Sequence, residues 1–232
     1  MRKYEYLLFD ADNTLFDFTK AEYLAFRKTA ESGGLPFSEQ LYSQYSAIND
    51  ALWKKLEKKE ITLESLKLER FRQLLLTLDE PDNAEMTEKA CFLRDTYIQS
   101  LGEQTCLIEG AEEISKELSE RYTMYLVTNG IGRIQRARFG ASALKPYFKD
   151  IFISEEIGAA KPSPAYFDAV FQAIGNPPKE KCLMIGDSLT SDCDGAIQYG
   201  IDICRYNPNG EDDKGRKLTY TVKKLSELTA IL

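Results

Sequence analysis

Four short stretches carry side chains whose types and spacing point to joint chemistry: Asp10-Ala11-Asp12-Asn13-Thr14, Thr128-Asn129-Gly130, Lys161-Pro162 and Gly186-Asp187-Ser188-Leu189-Thr190-Ser191-Asp192. Each alone has an ordinary explanation, since Asp, Asn, Ser, Gly and Pro are the common turn formers and a threonine suits a strand end. Brought into one crevice, they would gather several carboxylates, one ammonium and one hydroxyl. Such an acid cluster is tolerable only with shifted pKa values or a bound cation. Ligation by oxygen alone suits Mg²⁺, which also takes phosphate oxygens. A carboxylate can then accept a phosphoryl group and divide one hard displacement into two easier ones. Asp10 is the natural nucleophile. Asp12, two residues on, can protonate the leaving alkoxide and later deprotonate the attacking water. Thr128 can hydrogen-bond a phosphoryl oxygen, and Lys161 can offset charge on Asp10 and the phosphoryl group. Asp187 would complete a metal site, with Asp192 holding a metal-bound water or orienting Lys161.

These residues need a scaffold that delivers them to one edge. Tyr6-Leu7-Leu8-Phe9 reads as a short buried strand stopping at the first acid pair. Thr123–Val127, Ile151–Ile153, Cys182–Ile185 and Ile201–Cys204 read as further strands, with a last strand and helix after the polar loop 207–215. Between them lie helical stretches at 112–120, 134–143, a helix opened by Ser163-Pro164, and one near Ala196. Strands alternating with helices indicate a doubly wound parallel sheet, whose ligands sit at the carboxyl ends of the strands. All four motifs fall there. The tract from Asp17 to Leu101 carries no comparable strand signal. Gly33-Gly34 and Glu80-Pro81-Asp82-Asn83 break it, Leu41, Tyr45, Ile48, Leu52 and Leu56 recur as one helix face, and Ser38, Thr62 and Thr87 are candidate N-caps. The expected fold is therefore α/β: a Rossmann-like doubly wound parallel sheet core, residues 1–15 and 105–232, with an inserted all-helical cap, residues 16–104, after the first strand.

Composition narrows the chemistry further. The 232 residues include no histidine, which removes Ser-His-Asp and Cys-His catalysis, imidazole bases and His-ligated zinc. A net charge of −7 argues against a nucleic-acid polymer as partner. The five cysteines form no CxxC pair and read as reduced thiols, with Cys193 a small buried filler. Met1-Arg2-Lys3-Tyr4-Glu5 leads directly into the first strand, with no signal-peptide core and no apolar run of membrane-spanning length. A cytoplasmic protein with no membrane partner is expected, of a size that needs no disulfide or metal staple.

The ordered set Phe9-Asp10-Ala11-Asp12-Asn13-Thr14-Leu15, Val127-Thr128-Asn129-Gly130, Lys161-Pro162-Ser163-Pro164 and Gly186 to Asp192 resembles the motifs of the haloacid dehalogenase-like hydrolase superfamily over nearly the whole chain. The resemblance implies a Rossmann-like core, a helical cap inserted after the first strand, and Mg²⁺-dependent phosphotransfer. It implies Asp10, Asp12, Asp187 and Asp192 as the metal set, Asp12 through its backbone carbonyl. True dehalogenases of the superfamily lack the second acid, so Asp12 favours phosphate chemistry.

Phe9 to Phe18, Thr128-Asn129-Gly130 and Pro146 to Phe152 resemble more closely the branch of pyrimidine 5′-nucleotidases, the house-cleaning nucleotidases. The implied partner is a small phosphorylated metabolite, a nucleoside monophosphate, with Asn129, Asn13, Phe16 and Phe18 as phosphate- or substrate-binding residues. Asn13 where many relatives carry Gly, Ala159-Ala160 before Lys161, and Arg133-Ile134 depart from the branch, and bear on substrate rather than reaction. The alternatives are a phosphatase of another small phosphometabolite, such as phosphoglycolate or a sugar phosphate, or a phosphosugar mutase. Tyr23, Phe26 and Trp53 are further aromatic candidates for stacking on a base, although aromatics at helical spacing usually bury themselves. Lys54, Lys55, Lys58 and Lys59 read as a solvated helix face.

Overall fold

Six parallel strands make one sheet in the order β3-β2-β1-β4-β5-β6, in a computed structural model that describes residues 3–232. Met1 and Arg2, at the start of the N-terminal stretch considered above, lie outside the described residues. The strands are β1 (Tyr6–Phe9), β2 (Thr123–Thr128), β3 (Asp150–Ile153), β4 (Cys182–Gly186), β5 (Asp202–Tyr206) and β6 (Tyr220–Val222). Helices α1 (Phe18–Ser32), α2 (Glu39–Glu57), α3 (Leu63–Leu76) and α4 (Ala84–Gly102) follow β1. Helix α5 (Ala111–Ser119) precedes β2, α6 (Gly132–Ala141) follows it, and α7 (Ser154–Ile157) and α8 (Pro164–Ala173) follow β3. Helix α9 (Asp194–Tyr199) lies between β4 and β5, and α10 (Leu228–Ile231) ends the chain. The chain forms two compact units, Met1–Thr19 with Thr105–Leu232, and Lys20–Gln104. Among the described residues no helix is long and apolar enough to cross a membrane.

The sheet is the Rossmann-like α/β core expected from the alternation of strands and helices. β1 is central, in register with both neighbours from Tyr6 opposite Thr123 and Cys182 to Phe9 opposite Leu126 and Ile185. Both faces of it are buried. Leu7 and Phe9 pack into a cluster with Ile114, Leu118, Phe139, Phe148 and Leu228. Leu8 points the other way, into a cluster with Tyr166, Phe167, Val170, Met184 and Ala196. This is why β1 reads as a continuous apolar run instead of an alternating one.

In the helical unit, Ser38 and Thr62 cap α2 and α3, accepting from the Leu41 and Ser65 amides at 3.1 Å each. The cap of α4 is Asn83, whose Oδ1 accepts from the Met86 amide at 2.9 Å. Thr87, read above as that cap, instead stands in the first turn and donates its hydroxyl to the Asn83 carbonyl at 3.1 Å. Both residues are competent caps, and Asn83 wins because it terminates the Pro81-Asp82 turn, leaving the first orphan amides to its side chain. Of the apolar stripe read in α2, Leu41, Tyr45 and Leu52 are buried and Ile48 and Leu56 only half-buried, and Asn49 is buried in the same stripe.

Candidate active site

Asp10 leaves β1 still tied to β4, its backbone N–H donating to the Ile185 carbonyl at 2.8 Å. The Asp10 carboxylate is almost wholly buried. Lys161, from the segment between α7 and α8, reaches it with Nζ 2.6 Å from Asp10 Oδ1. The same ammonium donates to the Val127 carbonyl and to Asp192 Oδ1, at 2.7 Å each. Three donors thus meet three acceptors, which is what a buried ammonium requires. Burial works against the charge on Lys161, but Asp10 and Asp192 outweigh it and hold the group above its ordinary range. Burial pushes Asp10 well above the usual carboxylate range despite that ammonium, and the Asp192 and Asp187 charges add to the push.

Asp187 and Asp192 come from the turn after β4. The chain there makes one wide π-type turn, Leu189–Cys193, begun by Ser188, a form that recurs at functional sites. The turn tucks Asp192 under the strand end, completely buried, with its Oδ2 accepting from the Ser188 amide at 3.1 Å. A Cβ on residue 186 would lie 2.3 Å from that oxygen, so only glycine lets β4 approach Asp192. Asp187 faces the opening, its pKa pushed up to about 7 by burial and then by Asp192. Thr14 donates to it at 3.3 Å, and Arg205 Nε reaches its carbonyl at 3.4 Å. Beside it lies a cavity of about 340 Å³ whose walls include Asn13, Asp187, Arg205 and Asn207.

One oxygen from each of Asp10, Asp187 and Asp192 falls within 4.8 Å of the others. Three carboxylates against the single Lys161 ammonium leave a surplus of two negative charges when all are ionised. The donor set is hard oxygen throughout, which fits a divalent ion of the Mg²⁺ type. Asp192 already spends both oxygens on Lys161 and the Ser188 amide, so Asp10 and Asp187 are the freer ligands.

The Asp12 carboxylate stands apart from that trio. Its Oδ1 accepts from Arg138 Nη1 at 2.5 Å and its Oδ2 from Gln135 Nε2 at 2.8 Å. The Gln135 amide also donates to Thr128 Oγ1 at 2.8 Å, so one side chain ties Asp12 to Thr128. Asn13 takes the left-handed conformation, φ 60°, which Asn tolerates better than other non-glycine residues. It is exposed at the rim. The Asn129 amide staples the next loop, with Nδ2 donating to the Lys161 carbonyl at 2.8 Å and Oδ1 accepting from the Lys161 amide at 2.9 Å. That bond sets where Lys161 leaves its loop, and leaves little of Asn129 for a ligand.

Phe16 is buried in the core cluster, with the Arg138 guanidinium 4.9 Å from its ring centroid, while half-buried Phe18 lies 5.7 Å from the same group. Tyr23 donates to Glu39 at 2.6 Å, and fully buried Phe26 stacks on Tyr45 at 4.3 Å, both inside the helical unit. Cys182, Cys193 and Cys204 are buried free thiols, each pushed up to about 12 chiefly by that burial. Gln135, Arg138 and Arg205 were not singled out from sequence, and Thr14 stood in the first motif without a role of its own. The available signal was a polar and a cationic residue three apart on a helix opening directly after the Thr128 strand, which places them on one face.

The model of the haloacid dehalogenase-like hydrolases matches residues 4–200. The chain belongs to this family. It is 38% identical to YfnB of Bacillus subtilis (strain 168), over 100% of this chain and 97% of that protein. A crystal structure of YfnB bound to magnesium superposes with a TM-score of 0.91 at 37% identity, covering 100% of this chain and 99% of that one. The pyrimidine 5′-nucleotidase PynA of Streptococcus pneumoniae is 37% identical over 97% of this chain and 93% of its own length. The pyrimidine 5′-nucleotidase YjjG of Escherichia coli is 30% identical over 99% of this chain and 98% of its own. This haloacid dehalogenase-like protein is a phosphoric monoester hydrolase.

Proposed function

We propose that this hydrolase is a Mg²⁺-dependent phosphatase of nucleoside 5′-monophosphates, preferring pyrimidines and working through a phosphate ester on Asp10. The observation that carries the reaction is the buried Lys161 ammonium fixing one oxygen of Asp10 beside two further carboxylates. Lys161 holds Oδ1 in place, and the other oxygen attacks phosphorus as the bond to the leaving oxygen breaks. That leaving oxygen takes the proton carried by Asp12. In the second half, Asp12 accepts a proton from water, which attacks the same phosphorus and returns Asp10 as a carboxylate with release of inorganic phosphate. Thr128 donates to a phosphoryl oxygen, and Lys161 offsets charge as it develops. Mg²⁺ held by Asp10 and Asp187, with the Asp12 carbonyl, supplies positive charge to the phosphoryl oxygens when bound. Asp192 acts through Lys161 and the Ser188 amide.

The nucleotide preference is supported by the two pyrimidine 5′-nucleotidases among the relatives that span the whole chain. Phosphate release is to be measured across nucleoside 5′-monophosphates, sugar phosphates and phosphoglycolate, with Mg²⁺ and with EDTA. The expected result is turnover fastest on pyrimidine monophosphates, lost in EDTA and restored by Mg²⁺. Faster turnover of a non-nucleotide overturns the substrate, full activity in EDTA overturns the metal, and an isomerised phosphosugar in place of free phosphate overturns the hydrolysis.

A further inference from the structure

Asp12 must give up a proton in one half-reaction and accept one in the next, yet both of its oxygens already receive hydrogen bonds from α6. The donors are not surface groups. Arg138 is 1% exposed and Gln135 is 4% exposed, so neither trades its partner for water at little cost. Arg138 Nη1 donates to Gln135 Oε1 at 3.0 Å as well as to Asp12, which fixes the Gln135 amide with its nitrogen toward Asp12 and Thr128. The rings of Phe16 and Phe18 lie over the guanidinium. Phe16 is tied to the acid turn itself, its amide donating to the Ala11 carbonyl and its carbonyl accepting from Asn13, at 2.8 Å each. The turn bearing Asp12 and the helix bearing Arg138 are therefore held as one piece.

We infer that Arg138 and Gln135 are positioning residues for Asp12, orienting its carboxylate toward the leaving oxygen in the reaction proposed above. A carboxylate offers about four lone-pair sites. With two of them held by fixed donors, the remaining ones point in set directions, and proton transfer depends on such alignment. The inference rests on Asp12 as the acid and base of that reaction, not on the identity of the substrate.

Its test separates leaving groups. An alkyl phosphate needs its oxygen protonated as it departs, whereas p-nitrophenyl phosphate releases a stable phenolate and does not. The quantity to compare is kcat/KM, which reports steps only up to departure of the leaving group. In Arg138→Met, kcat/KM on the best alkyl phosphate of the panel is expected to fall about 100-fold, and that on p-nitrophenyl phosphate less than about 5-fold. Arg138→Lys should recover most of the difference. Gln135→Met, which removes one bond and no charge, should show the same selectivity at about 10-fold. Combined with Asp12→Asn, Arg138→Met should cost little more, since both act through one group.

Equal losses on the two substrate types, or additive losses with Asp12→Asn, overturn the inference. Should circular dichroism show that Arg138→Met does not fold, Gln135→Met in folded protein decides on the same criterion. A wild-type enzyme that prefers a non-nucleotide alkyl phosphate removes the nucleotide proposal and leaves this test intact. One active on the aryl ester alone removes both.

Discussion

At the strand ends of the first unit a lysine ammonium is buried against two carboxylates and a carbonyl, all within 2.7 Å. Inside the helical unit an arginine guanidinium is buried just as deeply, but against aromatic rings. Arg70 Cζ lies 4.3 Å from the Tyr97 ring centroid and 5.3 Å from that of Phe71. It meets the acid Glu22 only through an amide: Arg70 Nη1 is 3.4 Å from Asn49 Oδ1, and Asn49 Nδ2 is 2.9 Å from Glu22 Oε1. Burial pushes Glu22 up to about 7, so its charge is partly suppressed near neutral pH. The helical cluster thus sets one acid against one guanidinium, while the strand-end cluster gathers three carboxylates around one ammonium. A surplus of buried charge is costly unless something binds it. By that measure the strand-end cluster is built for a ligand and the helical cluster for holding helices together.

The sharpest way to break this comparison is Asp10→Asn. With the strand-end cluster functional, turnover should fall at least about 10,000-fold while circular dichroism and the thermal midpoint stay near wild type. Residual turnover within about 100-fold of wild type would remove Asp10 as the nucleophile. Lys161→Met comes next, because it damages both function and fold. It strands two buried carboxylates, so a stability loss of about 3–5 kcal/mol is expected in metal-free protein, together with a fall in kcat. Adding Mg²⁺ should restore part of that stability, and an unchanged denaturation midpoint would contradict the pairing.

The smallest effect is expected from Glu22→Gln. Between the ordinary carboxyl value of 4.5 and about 7, the folded chain holds a proton that the unfolded chain has released. The stability supplied by the protonated side chain is complete below that window and declines as pH rises through it. Replacement by Gln should therefore stabilise by about 1–3 kcal/mol at pH 8, a shift of a few degrees, and by much less at pH 5. Activity should change little. A stabilisation that is the same at both pH values would place the strain elsewhere.

Much of the core was legible in the residues themselves. The strands could be read because each is an apolar run stopped by turn formers, and burial on both faces requires that pattern. The acids of the site could be read because they stand at strand ends, where the sheet has no further ladder to occupy them. Other features resisted for identifiable reasons. The separation of α2 from α3 has no glycine or proline and was marked in the sequence by the Thr62 cap alone; the turn itself is made at Lys59, which adopts φ 60°. Asn49 sits in an apolar stripe and is indistinguishable from a surface residue until Glu22 and Arg70, 27 and 21 positions away, are seen to share it. Phe16 follows the acid turn as a ligand-facing ring would, but the turn folds it back into the core.

By itself the sequence determined the α/β class and the order of the motifs, and it excluded imidazole chemistry, because no histidine is present. Those are properties of local pattern and of what side chains can do at all. Only the tertiary structure decided which oxygen of which acid meets which donor. Lys161 is 151 residues from Asp10 and Arg138 is 126 from Asp12. Across such separations, contact depends on the rotation of a helix over a strand and on the exit angle of a loop, and packing sets both.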